Sequence, residues 1–380
     1  MTILITHNIL WSKYKGGVFS ALHQLGLKTE NKIDFLQIAE TETDRVGLAS
    51  VDLSYHQYPY KLLFKGSHGE VPKWLLVKTL FLEIWHTKTD MVVLAGFHLP
   101  EYWSMLLAAR LRGKIIGVFC DSTAYDRPHS FFKDLLKRFF FSQCNAVFCY
   151  GQRSKEYLNS LGVPDKAIYF RRQAAALPHD YILENVIIAR TKLQWGDAPR
   201  YLFAGRLSAE KNINDLLTAF KQVVATYTNA KLVIVGDGPL KQLLIDLTNQ
   251  LDLADSIEFT GSKNIVDLQL EYLKASCMVL PSSSEPWGLV VNEALSFGCP
   301  VVVSHRCGCV PELVIEGKTG VVYECGNVDE LAAKMIDAKN TFSDLEKTAR
   351  ECTGLISKFS PSAAAQQILD GCLIAIAKTK

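Results

Sequence analysis

The sequence predicts two successive parallel α/β units, on three observations. Short β-rich apolar runs alternate with longer amphipathic ones, the alternation stops and begins again halfway along, and 380 residues are too many for one ordinary core. A strand-length apolar run followed by a helix-length amphipathic run, repeated, is the pattern of a parallel sheet with helical crossovers.

In the first series TILITHNIL leads to VFSALHQLG, MVVLAGF to YWSMLLAARL, KIIGVFC to FFKDLLKRFFF, and AVFCYG to SKEYLNSLG. The periodicity fades between Arg172 and Pro199, so the junction is expected there. The second series runs RYLFAGRL to INDLLTAFKQVVATY, KLVIVGDG to LKQLLIDLTNQL, SIEFTG to IVDLQLEYLKA, and CMVLPSS to LVVNEALSFG, closing with PVVVS. A break at Ser360 and Pro361 sets off PSAAAQQILDGCLIAIAKTK as a separate helix that returns to the first unit. The expected division is a first domain of residues 1–175 completed by the helix 361–380, and a second of residues 176–360. Ligands of open α/β sheets bind beyond the carboxyl ends of the strands. Two doubly wound, Rossmann-like domains facing across a cleft would therefore hold a ligand between them.

Composition narrows the classes. A 48% hydrophobic and 21% charged chain is globular, and a net charge of +2 gives no general attraction to nucleic acid. MTILITHNILW lacks the basic region and cleavage site of a secretory signal, and no run of about eighteen apolar residues occurs, so a cytoplasmic protein is expected. The ten cysteines are scattered, and the pair Cys307 and Cys309 has no second pair at zinc-ligand spacing, which favours reduced, buried thiols.

Several turns carry polar chemistry. In LFAGRLSAEKNINDLL, Arg206 and Lys211 flank a turn that opens a helix. They form either an anion site, where helix N–H groups and two cations converge, or a pair of solvated surface charges. VIVGDGPLKQLL sets Gly236 and Gly238 at a strand-to-helix turn with Pro239 suited to the first helical position, by itself a tight turn. Gly16 and Gly17, between the first strand and first helix, allow close backbone approach to a ligand. In SEPWGLVVNEA a helix begins near Gly288, leaving the N–H groups of Gly288, Leu289 and Val290 for phosphate, with Glu285 and Glu293 on either side. A carboxylate beside phosphate is unfavourable unless it accepts hydrogen bonds from hydroxyls, which sugars supply. Alternatively Glu285 complements the helix dipole and Glu293 lies on the helix surface.

In this order, AGRLSAEKN, VGDGPL, FTGS, SEPWGLVVNEALSFGCPVVVS and PELVIEGKTG resemble the nucleotide-sugar domain of the family-four retaining glycosyltransferases (group 1), which have the two-domain GT-B architecture. The resemblance runs from Tyr201 to Tyr323 and is weaker over the first domain, which would face a variable acceptor. It implies that Arg206 and Lys211 bind the donor diphosphate and stabilise the departing nucleotide, with the N–H groups of Gly288, Leu289 and Val290 sharing that task. Glu293 would accept the ribose hydroxyls and Glu285 those of the donor sugar. Ser262 and Lys263 would lie beside the base, Gly236 near the nucleotide, and Gly16 and Gly17 would approach the diphosphate from the first domain. Arg206, Lys211 and a helix dipole can compensate leaving-group charge without a metal, and no D-x-D or H-E-x-x-H occurs, so neither metal nor cofactor is expected. The implied donor is a UDP-sugar, with a GDP-sugar next. The implied acceptor is a saccharide or lipid-linked saccharide of bacterial cell-surface polysaccharide synthesis.

The chain also departs from the family. Asp121, in GKIIGVFCDSTAYD, stands where the family often has histidine; it could orient the acceptor, act as base, or act as nucleophile, and positioning is the role expected of it. RRQAAALP replaces an asparagine–glycine turn, and Cys309 stands where a second glycine is common. His98 either contacts the acceptor or caps the next helix. Phe132, Leu135, Leu136, Phe139 and Phe140 form a helical stripe beside Lys133, Lys137 and Arg138, which either meets anionic lipid at the inner face of the membrane or packs on its own sheet. Aromatics interleaved with Lys61, Lys65, Lys73 and Lys78 add to the first of these. Two functions of other classes stay open: a non-catalytic binding subunit and a sugar-nucleotide epimerase.

Overall fold

The computed structural model describes residues 1–43, 51–126, 130–192 and 198–379. They form two compact units, Met1–Ala176 with Ser360–Lys380, and Leu177–Phe359. The first contains β1 (Thr2–Ile9), α1 (Lys13–Lys28), β2 (Lys32–Thr41), β3 (Lys61–Ser67), α2 (Lys73–His86), β4 (Met91–Leu94), α3 (Pro100–Leu111), β5 (Ile115–Cys120), α4 (Phe131–Ser142), β6 (Ala146–Cys149), α5 (Gln152–Ser160) and β7 (Ile168–Phe170). The second contains α6 (Leu183–Thr191), β8 (Arg200–Ala204), α7 (Ile213–Thr226), β9 (Lys231–Val235), α8 (Lys241–Gln250), β10 (Ile257–Gly261), α9 (Ile265–Lys274), β11 (Cys277–Leu280), α10 (Leu289–Ser296), β12 (Val301–Ser304), α11 (Val310–Leu313), β13 (Gly320–Tyr323), α12 (Val328–Thr341) and α13 (Leu345–Ile356). The last helix, α14 (Pro361–Thr379), packs against α1 in the first unit.

Among the described residues both sheets are parallel, ordered β3-β2-β1-β4-β5-β6-β7 and β10-β9-β8-β11-β12-β13. Strands buried on both faces need apolar residues at every position, and MVVL, AVFC and CMVL are buried throughout. In the first unit, α2, α3 and α5 cover one face of the sheet, while α1 and α14 cover the other. Strand order reverses between β1 and β4 and again between β8 and β11. Each reversal opens a crevice at the carboxyl ends of those strands, where a ligand can reach backbone and loops.

Several elements escape the alternation, α2, β7, β13, α12 and α13 among them. The edge strand β3 is only half-buried and carries exposed Lys61 and Lys65, charges that discourage pairing with another chain. Lys61 pairs with Glu83 of α2 at 2.6 Å. The inner neighbour of β3, β2, goes unread with it. In the fading stretch lies α6, whose fully buried Arg190 donates to the carbonyls of Tyr272, Leu273 and Ala275 at 3.3, 3.0 and 2.6 Å. A cation at the carboxyl end of α9 satisfies its last carbonyls and its dipole.

Two helix starts differ from expectation. α8 begins at Lys241, so Pro239 lies in the preceding turn rather than at the first helical position. α1 begins at Lys13, which places Gly16 and Gly17 inside it. The stripe on α4 also differs from a sheet-packed one: Phe140 and Phe141 are buried, whereas Phe131 and Phe132 are 79% and 77% exposed and Leu135, Leu136 and Phe139 more than half. Twelve helical residues span about 18 Å and the four of β6 about 13 Å, so part of the helix outruns the strand beside it. No helix among the described residues is long and apolar enough to cross a membrane.

Candidate functional site

In the second unit three strand-end turns are stitched together. Gly205 N–H donates to Val235 O at 3.0 Å, Gly236 N–H to Gly261 O at 2.9 Å, and Leu207 N–H to Asp237 O at 3.0 Å. A Cβ on Gly236 would fall 1.9 Å from Gly205 O, so glycine there is required by the contact between turns. Beyond β8, Arg206 is exposed and a single 3-10 turn, Ala209–Lys211, leads through left-handed Asn212 into α7. Ser283 N–H donates to Glu210 O at 2.9 Å and thereby ties the loop after β11 to this turn.

That tie brings Lys211 and Glu285 together. The Lys211 ammonium pairs with the Glu285 carboxylate, and their side chains are only 18% and 15% exposed. Glu285 is held from behind, since its carbonyl accepts from Gly308 N–H at 2.9 Å. Trp287 is buried, and its indole N–H donates to Asn292 Oδ1 at 2.7 Å, pinning the loop to α10. Gly288, at φ 101°, turns the chain into that helix. Its missing side chain matters as well, because a Cβ would lie 3.3 Å from Cys309 Sγ. The N–H groups of Gly288, Leu289 and Val290 consequently precede the i−4 bonding of α10 and remain available to a ligand.

Glu293 lies one turn into α10, half-buried and bonded to a buried tyrosine rather than free on the helix surface. The Tyr272 hydroxyl donates to its carboxylate at 2.8 Å, and that ring stacks on Phe297 at 5.9 Å. Burial pushes the Glu293 carboxyl up to about 7, against the smaller downward pull of the Tyr272 bond. Ser262 is exposed, and Lys263 pairs with Glu271 at 3.1 Å, where Arg200 also reaches Glu271 at 2.5 Å. Glu210 goes unread in the sequence. Burial raises its pKa, but Ser208 together with the fields of Lys211 and Arg206 outweighs it and leaves the carboxyl below the ordinary glutamate value.

In the first unit Asp121 follows β5 and its side chain is 46% exposed. Both its oxygens are engaged: Arg171 pairs with Oδ1, and the Tyr150 hydroxyl donates to Oδ2 at 2.8 Å. Burial works to raise the carboxyl, but Arg171, Lys15 and Tyr150 outweigh it, so Asp121 sits below the ordinary aspartate range and is a weak base. Lys15 Nζ donates to the Tyr150 hydroxyl at 2.9 Å. His7, half-buried at the end of β1, uses Nδ1–H to bond Ile9 O at 3.0 Å, and burial with the Lys15 and Arg171 charges holds it down at about 3. His7, Lys15, Asp121 and Arg171 line one pocket of about 140 Å³. A larger one of about 590 Å³, on the outer side of α13, contains none of these residues.

Gly16 and Gly17 take different places from those expected. Gly16 N–H already donates to Ser12 O at 2.9 Å, and a Cβ on Gly16 would meet the His56 ring at 2.9 Å. Gly16 is thus a packing glycine, and the unbonded N–H groups at the start of α1 are those of Lys13, Tyr14 and Lys15. A Cβ on Gly17 would meet only Pro361, at 3.8 Å. The N-cap position of α3 is Leu99, and the His98 ring packs against Phe97 and Tyr102.

Residues 187–351 match the family described as glycosyl transferases group 1. Over 163 residues the chain is 33% identical to the sulfoquinovosyl transferase of Arabidopsis thaliana, covering 41% of this chain and 30% of that protein. The chain spans about a third of the length of the first curated relatives it matches, 34% and 30%. HepE of Anabaena, solved in complex with UDP, has a TM-score of 0.71 at 17% identity, covering 98% of this chain and 100% of that one. Sucrose-phosphate synthase of Thermosynechococcus elongatus has a TM-score of 0.72 at 17% identity, covering 100% of both chains. The shared fold is the pair of Rossmann-like units of the GT-B architecture.

Proposed function

We propose that this chain, whose second unit belongs to the group 1 glycosyltransferases, is a retaining, metal-independent glycosyltransferase that moves a sugar from a nucleotide-diphosphate donor, a UDP-sugar first, to a saccharide acceptor. The observation that carries the proposal is the Lys211–Glu285 pair set against the open N-terminus of α10, with Glu293 one turn further in. A phosphate draws Lys211 away from Glu285, and the released carboxylate then accepts hydroxyls of the donor sugar. Glu293, once ionised, accepts the ribose hydroxyls. Arg206, Lys211 and the first N–H groups of α10 offset the charge that grows on the leaving nucleotide, a stabilisation made in place by groups already aligned. Asp121, engaged at both oxygens, positions the acceptor.

UDP bound to HepE, a protein of the same fold, supports uridine as the first base to test. The acceptor is a lipid-linked saccharide of a bacterial surface polysaccharide, met at the inner face of the membrane by the exposed apolar side of α4. That last step draws on the family resemblance and on the exposed Phe131 and Phe132.

The test is release of free nucleotide from UDP-sugars with and without a saccharide acceptor. Acceptor-dependent release is expected, with turnover lowered at least about a hundredfold in Lys211→Ala and in Glu285→Ala, the loss typical of a missing charge-stabilising group. Full activity in either variant refutes the assignment. Conversion of the donor without acceptor identifies an epimerase, and saturable donor binding without turnover a binding subunit.

A further inference from the structure

We infer that the pocket at the carboxyl ends of β1 and β5 in the first unit binds an oxyanion, a carboxylate or a phosphate monoester, carried by the acceptor. The assignment to the acceptor rests on the function proposed above; the binding of an oxyanion does not.

The inference comes from an unbalanced charge. Lys15 and Arg171 are 4% and 3% exposed, and among the described residues Asp121 is the carboxylate bonded into their cluster. Two buried cations with one carboxylate leave a surplus positive charge, and a buried charge is costly until it is paired. Glu42 also lines the pocket, but the charges that act on Lys15 are those of Arg171 and Asp121, and Asp121 is the carboxylate that acts on Arg171. His7 stays neutral and adds no counter-charge.

Unused donors point the same way. Arg171 spends one Nη on Asp121, whereas its Nε–H is buried without a hydrogen-bond partner among the described residues. The guanidinium lies against the faces of Phe119 and Tyr150, 4.1 and 4.4 Å from the ring centres, so its plane is fixed before a ligand arrives. Lys15 gives one of its three hydrogens to Tyr150. Ser12 and the first residues of α1 border the pocket, adding N–H groups and the positive end of a sixteen-residue helix. The volume of about 140 Å³ suits a carboxylate or a phosphate and is too small for a nucleoside. Burial and Arg171 pull Lys15 well below the ordinary lysine range, and a bound anion would offset that pull.

The experiment is calorimetric titration of the full chain with inorganic phosphate and with malonate, ionic strength held constant with chloride. Wild type should bind at least one of the two saturably at a single site, phosphate alone marking a phosphate monoester and malonate alone a carboxylate. Lys15→Met, with Lys15→Gln as the second variant, should weaken that binding at least about tenfold, the loss expected of a charge-assisted hydrogen bond. Both should keep wild-type affinity for UDP-glucose, and Lys15→Met should melt no lower than wild type, because it removes a buried surplus charge. Absence of saturable binding in wild type, unchanged binding in both variants, or a parallel loss of UDP-glucose affinity overturns the inference. If the oxyanion binds but no sugar is transferred, the glycosyltransferase reading fails and the site stands.

Discussion

If Glu293 accepts ribose hydroxyls, donor binding must take away the proton that burial keeps on its carboxyl. With a pKa of about 7, close to half of the substrate-free molecules are protonated at neutrality. Binding that requires the ionised form therefore releases about half a proton at pH 7, about 0.9 at pH 6 and about 0.1 at pH 8, and tightens about tenfold from pH 6 to 8. UDP-glucose is the suitable probe, because its diphosphate is esterified at both ends and exchanges no proton near neutrality. Titration calorimetry in buffers of different ionisation enthalpy gives the number directly, and Glu293→Gln should abolish the release. The same shift predicts stability. A carboxyl raised in the folded state binds more protons folded than unfolded, so its contribution is complete below the ordinary glutamate pKa near 4.5 and is lost as pH rises through 7. Glu293→Gln should accordingly stabilise the ligand-free chain at pH 8, by on the order of 2–3 kcal/mol. Proton uptake on binding, or equal release by wild type and variant, refutes the reasoning.

Gly16→Ala gains up to about 1 kcal/mol of helix propensity but drives a methyl into the His56 ring and Tyr55 O, at 2.9 and 3.0 Å, an overpacking worth about 1–3 kcal/mol. A net loss of about 1–2 kcal/mol is expected by thermal melting, and a more stable variant would show that Gly16 serves the ligand rather than the packing. For α4, replacing Phe131, Phe132 and Leu135 with serine should reduce co-sedimentation with vesicles of anionic phospholipid several-fold while leaving nucleotide release from a soluble acceptor unchanged. Equal sedimentation of the two proteins refutes a lipid-facing role.

The sequence discloses what is local. β4, β6 and β11 are legible because strands buried on both faces must be apolar throughout. β3 is not, since an edge strand shares its Lys-studded, half-buried pattern with a surface loop. Glu285, Gly288 and Glu293 lie on one loop and one helical turn, so their spacing alone suggests a shared ligand. The first-unit cluster is different, because its members meet only through the fold: Lys15 bonds a tyrosine 135 residues away, and Asp121 an arginine 50 residues away. Arg171 borders a stretch with no periodicity, and nothing in its neighbours announces that it is buried. Gly16 shows the opposite case. A glycine pair after a strand does mark close approach, but α1 starts three residues earlier, so what approaches is the His56 ring.

Charge balance separates the two sites and bears on what each can accept. In the second unit the Lys211 ammonium is matched by the Glu285 carboxylate, so a ligand enters only by offering something to both. An anion alone would free Lys211 at the cost of leaving Glu285 unpaired, and a neutral sugar alone would find the carboxylate already occupied. A sugar attached to phosphate answers both demands, which favours a nucleotide sugar over either free nucleotide or free sugar at this position. Among the described residues of the first unit the cations outnumber the bonded carboxylate, and an Arg171 N–H has no partner beside them. There an anion alone suffices. A neutral acceptor would leave Lys15 and Arg171 as they are and gain only hydroxyl contacts, so discrimination among acceptors should follow the charge they carry.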